Sequence, residues 1–279
     1  MGITLILFTF GLLTLSSATT FLAHQAGEDA PRFVLNQALG GALGLAALVV
    51  CSRIPYTWWR TMAWPILGGT VLLLLILVLP WTESIAPRIN GARRWLVLPV
   101  GRVQPSELAK IALVIWTAAL VVKKQVHFRS LRKGLMPFLV VWGGVLLLIA
   151  AEDFTTACLE GLLAGIVVFV GGGRIGHFVV LGLLLLPAVL ARLGEGFRLD
   201  RMKAFWDPTF DPAGAGYQVR QSLVAIGSGG LTGVGFGEGR QKFGFLPEPH
   251  NDFIFAMIGE EWGLLGVLLV VSLFMTLIM

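Results

Sequence analysis

Eight apolar runs, each long enough or nearly long enough to cross a bilayer as a helix, constrain this chain more than any other feature. They lie near residues 3–23, 33–51, 61–80, 108–122, 136–151, 155–171, 176–193 and 253–279. A hydrocarbon core of ~30 Å takes roughly 17 to 25 helical residues. Lipid offers no water to an unpaired N–H or C=O, so a spanning segment is a helix or a strand of a closed barrel. Barrel strands would place a polar residue at every second position, and these runs do not. The predicted fold is an all-α polytopic membrane protein, a bundle of about eight transmembrane helices forming a single domain over residues 1–279. Composition agrees: 56% hydrophobic and 13% charged residues, with mean hydropathy +0.82, leave too few polar side chains to coat a globule in water. Cys51 and Cys158 fall at or inside different predicted helices, so no disulfide is expected.

The loops give an orientation. Residues 123–133 carry Lys123, Lys124, Arg129, Arg132 and Lys133 with no acid, a cytoplasmic signature. Alternation then places Arg53, Arg60, Arg174 and the N-terminus on the cytoplasmic side. Residues 3–23 lack a basic leader and read as the first helix, not a cleaved signal. The long polar loops 81–107 and 194–252 fall outside, yet the first holds Arg88, Arg93, Arg94 and Arg102, and the second Arg198, Arg201, Lys203, Arg220, Arg240 and Lys242. Basic residues on that side suit an anionic ligand, or simply a long loop that translocates whatever its charge. The net charge of +5 also fits anionic lipid head groups, and no segment resembles a nucleic-acid module.

Within the loops, QPSELAK at 104–110 opens the fourth helix, with Gln104 or Ser106 predicted as its cap. Glu107 and Lys110 share one face there, either as a surface ion pair worth ~0.3 kcal/mol or as the lining of a polar cavity, since charge at a membrane mouth is costly without water or a ligand. In the second loop, Asp207-Pro208 and Asp211-Pro212 read as turns before metal ligands. Residues 217–226 read as an interfacial helix. The glycine-rich segment 227–239 reads as tight turns, although its N–H groups could cradle a phosphate. Asp252, in PEPHNDFIF at 247–255, stands at the seam between polar loop and apolar run, where an N-cap is the ordinary role. Glu160, inside the sixth run, is expected to face the bundle interior or a cavity, or to stay protonated, and one of Glu260 and Glu261 to pair with a buried cation. Gly161, Ala164, Gly171 and Gly263 are expected to permit close helix packing.

Six ordered segments, NGARRW, QPSELAK, DPAGAGYQVRQS, the glycine-rich stretch followed by Gln241-Lys242, LPEPHNDFIFA and IGEEWGLLG, resemble the signatures of the SEDS family (shape, elongation, division and sporulation), bacterial peptidoglycan glycosyltransferases. Gln241-Lys242 and GEEWG look more like its FtsW and SpoVE branch than its RodA branch. The family typically has ten membrane helices, so about eight here is expected of either a fragment or a C-terminally shortened member. Residues 152–155 read EDFT where relatives read PDFG, and Asn251 stands where Thr is common.

The resemblance implies a reaction that joins lipid II units by β-1,4 bonds and releases undecaprenyl pyrophosphate, in the bacterial cytoplasmic membrane with the site outside. Asp252 matches the family's essential Asp and would be the general base. Glu107 and Lys110 would line the same cavity, with Lys110 toward pyrophosphate. Arg94, Arg201, Arg220 and Lys242 are weaker candidates for gripping phosphate, and His250 for a proton shuttle or a structural hydrogen bond. A divalent cation, Mg²⁺ or Mn²⁺, would suit the pyrophosphate, although no ligand cluster marks its place. The expected partner is a class B penicillin-binding protein, a transpeptidase, beside other divisome or elongation proteins. Other classes remain open: a flippase for the lipid-linked precursor, or an inactive scaffold for the transpeptidase.

Overall fold

Helices form where the sequence leaves the backbone no partner but itself. The computed structural model describes residues 1–26, 30–89, 91–98, 101–128, 130–194, 196–207, 209–211 and 213–279. Its helices are α1 (Gly2–Ala26), α2 (Ala30–Arg53), α3 (Tyr56–Val78), α4 (Pro105–Lys124), α5 (Met136–Ala150), α6 (Phe154–Val170), α7 (Ile175–Leu193), α8 (Gly196–Trp206), α9 (Ala215–Ser228) and α10 (Ile254–Ile278). Among the described residues seven helices are long and apolar enough to cross a membrane. The eighth expected span, α6, is apolar but has 17 residues. The spans within α2 and α7 bury none of their side chains in the protein, as suits helices solvated by lipid.

Backbone contacts divide the chain into two units, Met1–Cys51 with Val189–Met279, and Ser52–Ala188. In the second unit α3, α4, α5 and α6 pack around Leu74, Leu113, Trp116, Phe138, Trp142 and Val168. Trp142 Nε1 donates to Thr117 Oγ1 at 3.1 Å, so this buried indole is satisfied. Gly161 lets α5 approach: a Cβ there would lie 3.1 Å from Leu146. Gly171 does the same for α4, since its Cβ would sit 2.3 Å from Val121. The loop before α4 holds a short antiparallel hairpin, β1 (Leu96–Leu98) and β2 (Gly101–Val103), with Val97 opposite Arg102. Sequence patterning did not signal it. The cap of α4 is Gln104, with Pro105 in the first turn, but neither it nor Ser106 makes the expected side-chain capping bond. Asp153 does cap α6, accepting from the Thr156 N–H at 3.0 Å.

In the first unit α1 and α9 pack against α10, with Ala18, Ala225, Leu246, Ala256 and Met257 at the centre. Residues 217–226 are helical as expected, inside α9, and Leu223, Val224 and Ile226 are exposed. An unexpected helix, α8, precedes it and exposes Met202, Phe205 and Trp206. Asp207 serves a turn: it accepts from the Thr209 hydroxyl and N–H, which together hold its carboxyl below the usual range. Asp211 also turns the chain, at φ +46°, its carbonyl accepting from Gly214 and Gly216. Asn90, Arg129, Pro208 and Pro212 lie outside the described residues.

Candidate active site

The first unit is built around a break in α10. Gly263, expected only to ease packing, takes φ +64° and ψ −162° and interrupts the helix. An L side chain is costly at that φ, and a Cβ would also come within 2.3 Å of the Gly233 N. Breaking a helix frees backbone groups that a membrane interior cannot leave unpaired. The glycine-rich loop satisfies them: Val234 and Gly235 N–H donate to the Glu260 and Glu261 carbonyls, and Leu264 and Leu265 N–H to those of Gly230 and Leu231.

The same loop consumes the two acids. Glu260, 2% exposed, accepts from the Arg240 N–H at 2.8 Å and the Gln241 N–H at 3.3 Å. These N–H groups, just past the glycine-rich segment 227–239, thus serve the chain's own carboxylate. Glu261 pairs with Lys242 at 2.9 Å, in side chains 0% and 3% exposed. Lys242 also donates to Ser17 Oγ at 2.8 Å and the Gly237 carbonyl at 2.6 Å, while Ser17 donates to Glu261 at 2.6 Å. The buried cation expected for this acid pair is thus Lys242. As a candidate for phosphate it is corrected by the same contacts, because an ammonium has three donors and all are spent. Sequence reasoning missed Ser17, whose only signal was the polar stretch SSATT inside the first apolar run.

Asp252 differs from its neighbours. It lies in a turn two residues before α10, whose cap is Phe253, so it is neither the N-cap nor in the first helical turn. It is exposed, and among the described residues it makes no hydrogen bond or ion pair. Its turn is fixed from one side: Glu248, at φ +50°, accepts from the Asn251 N–H at 3.2 Å and from the Asn251 side-chain amide at 3.0 Å. His250 Nε2 is 3.6 Å from Glu248, its ring meets Phe33 edge-on at 6.2 Å, and its buried Nδ1 has no partner. Arg201 and Arg220 are exposed on α8 and α9.

The second unit holds the other candidates. Lys110 donates to both Glu107 oxygens, at 2.9 and 2.8 Å, at the start of α4. The two arginines of NGARRW part company. Arg93 is buried and structural, bonded to the Leu79 carbonyl at 3.0 Å and to Glu83, while its own N–H donates to Glu152 at 2.8 Å. Arg94 is 45% exposed and leans on Asp153 at 3.3 Å. Glu160 faces the interior of this unit, 1% exposed, and neither carboxylate oxygen has a donor among the described residues. Lys110, Glu107 and Asp153 are the charged groups that act on it. Among the described residues no three or more His, Cys, Asp or Glu side chains gather as a metal site.

A free acid ahead of a broken helix, with a paired acid and base at the head of another, is the residue pattern of the six motifs set in space. The family model of the cell cycle proteins FtsW, RodA and SpoVE matches residues 1–279. The chain belongs to that family. It is 36% identical over 274 residues to a probable peptidoglycan glycosyltransferase FtsW from Trichlorobacter lovleyi, covering 98% of this chain and 71% of that protein. It is 35% identical to the stage V sporulation protein E of Bacillus subtilis, over 99% of this chain and 75% of that one. Its fold matches a chain of a peptidoglycan synthase complex that coordinates polymerization and crosslinking, with TM-score 0.73, 26% identity and coverage of 99% and 74%. The rod shape determining protein RodA of Thermus thermophilus gives TM-score 0.63 at 26% identity, covering 99% and 70%. Membership in the FtsW, RodA and SpoVE family makes this a multi-pass membrane protein.

Proposed function

We propose that this protein is a peptidoglycan glycosyltransferase that polymerises lipid II into β-1,4-linked glycan with release of undecaprenyl pyrophosphate. Family membership supports the reaction class. The observation that carries the assignment of the base is the state of Asp252, the acid of the LPEPHNDFIFA segment that stays exposed and has no partner among the described residues, while Glu260 and Glu261 are engaged by the fold. Asp252 removes the proton from the acceptor 4-hydroxyl, whose oxygen attacks the anomeric carbon as the C–O bond to pyrophosphate breaks. The attack inverts the anomeric centre. Glycosidases use a second carboxyl to protonate a poor leaving group. Pyrophosphate leaves as a stable anion, so one base and nearby positive charge suffice. Lys110, oriented by Glu107, and the exposed Arg94, Arg201 and Arg220 are the groups assigned to that charge. Any Mg²⁺ or Mn²⁺ would enter on pyrophosphate oxygens, and no step here depends on it.

This reading places the protein in the bacterial cytoplasmic membrane, N-terminus inside, with Asp252 on the outer side. Its partner is a class B penicillin-binding protein, in keeping with the synthase complex whose fold it shares. The test is polymerisation of labelled lipid II by the protein with its transpeptidase. Glycan strands from the wild type and none from Asp252→Ala support the reading. Lipid II translocation that survives Asp252→Ala, without glycan from the wild type, would favour a flippase.

A further inference from the structure

The opposite end of α4 carries a second feature that the polymerase reading leaves unused. Arg60 and Trp64 of α3 and Trp116, Ala119, Leu120 and Lys123 of α4 line a cleft, with Ala63 at its base. Lys123 lies thirteen residues beyond Lys110 on one helix, roughly 20 Å at 1.5 Å per residue. The cleft is therefore separate from the Glu107–Lys110 pair.

Its chemistry is specific. Arg60 and Lys123 are exposed cations and neither has an acid in an ion pair among the described residues. Trp64 and Trp116 meet edge-to-face at 5.3 Å. Trp116 is 1% exposed, and its Nε1–H has no acceptor among the described residues. A buried indole N–H ordinarily finds one, as Trp142 does one helix away. Snorkelling to the head-group level accounts for either cation alone; it leaves the orphaned donor unexplained. Around the cleft, the same end of this unit bears Arg53, Lys124, Arg132 and Lys133, and the exposed ring of Trp58, a basic and aromatic girdle of the kind that lies against an anionic leaflet.

We propose that this cleft binds the phosphodiester head group of an anionic membrane phospholipid, with Arg60 and Lys123 paired to the phosphate and Trp116 Nε1–H supplying a hydrogen bond to a head-group oxygen. The site lies at the opposite end of α4 from the Glu107–Lys110 pair and would fix α3 against α4 in the bilayer.

The test uses the full-length chain in bilayers of mixed phosphatidylglycerol and phosphatidylcholine, released intact and read by native mass spectrometry for the lipid it retains. Wild type retains phosphatidylglycerol in preference. Arg60→Gln and Lys123→Gln each lower that preference about fivefold, and the double variant brings it to parity with an unchanged unfolding temperature. Trp116→Phe, which keeps a ring in the core, lowers it too. Excess inorganic phosphate leaves the lipid in place. Equal retention of the two lipids by the wild type overturns the proposal, as does a double variant with undiminished preference. Displacement by inorganic phosphate alone overturns the lipid assignment in favour of a free-phosphate site.

Discussion

Glu260 and Glu261 in one unit and Glu160 in the other are equally hidden, yet the protein treats them in opposite ways. Around Glu260 and Glu261 a loop some twenty to thirty residues upstream supplies Arg240 and Gln241 N–H groups and Lys242, and α1 adds Ser17. Around Glu160 there is no donor among the described residues. Burying a carboxylate is costly unless its oxygens are bonded. Glu260 and the bonded oxygen of Glu261 are therefore part of the architecture that holds a broken helix together, whereas Glu160 has no such compensation among the described residues. Asp252 completes the contrast from outside the core, as an acid held in place by its turn but bound to nothing among the described residues.

The sharpest way to break this comparison is to unpair the first site. Glu261→Ala leaves Lys242 buried without its carboxylate and should destabilise the protein by about 3–5 kcal/mol, read as a lowered midpoint in thermal unfolding; an unchanged midpoint would show that the network is not structural. Gly233→Ala tests the loop that serves it. A Cβ there would sit 2.1 Å from the Glu261 carbonyl at φ +84°, and a loss of about 1–3 kcal/mol is expected. Glu160→Leu runs the other way, because removing an unsatisfied buried polar group for an apolar one of similar size should leave stability equal or raise it by about 1–3 kcal/mol. A destabilised Glu160→Leu protein would mean that the acid is paired in solution. The smallest stability effect belongs to Lys110→Ala, whose pair is largely exposed: within about 0.5 kcal/mol of wild type, but with polymerisation reduced. Full activity in that variant would remove Lys110 from the site.

The same contrast explains what the sequence could show. Spans follow from the thickness of hydrocarbon, a constraint that acts on each segment alone, and so α1 to α7 and α10 begin and end within a few residues of the apolar runs. The break at Gly263 is invisible there, since IGEEWGLLG reads as one apolar helix and the groups that relieve the break come from residues 230–235. Lys242 was legible as a cation but not as a buried one, because its partners Ser17 and Glu261 are 225 and 19 residues away. Asp252, for which an N-cap was the ordinary role, lies one residue before the cap Phe253, so its carboxylate is not spent on capping the helix. The hairpin of β1 and β2 and the helix α8 escaped because short loop elements lack the periodicity that long spans display.

The central claim is that Asp252 is the base, and the most direct measurement is lipid II polymerisation by Asp252→Asn at matched unfolding temperature, beside wild type and with the transpeptidase present. The account predicts that the amide, equal in size but unable to take a proton, lowers the rate by about 10²–10⁴-fold. Glycan formation at the wild-type rate by Asp252→Asn would contradict it.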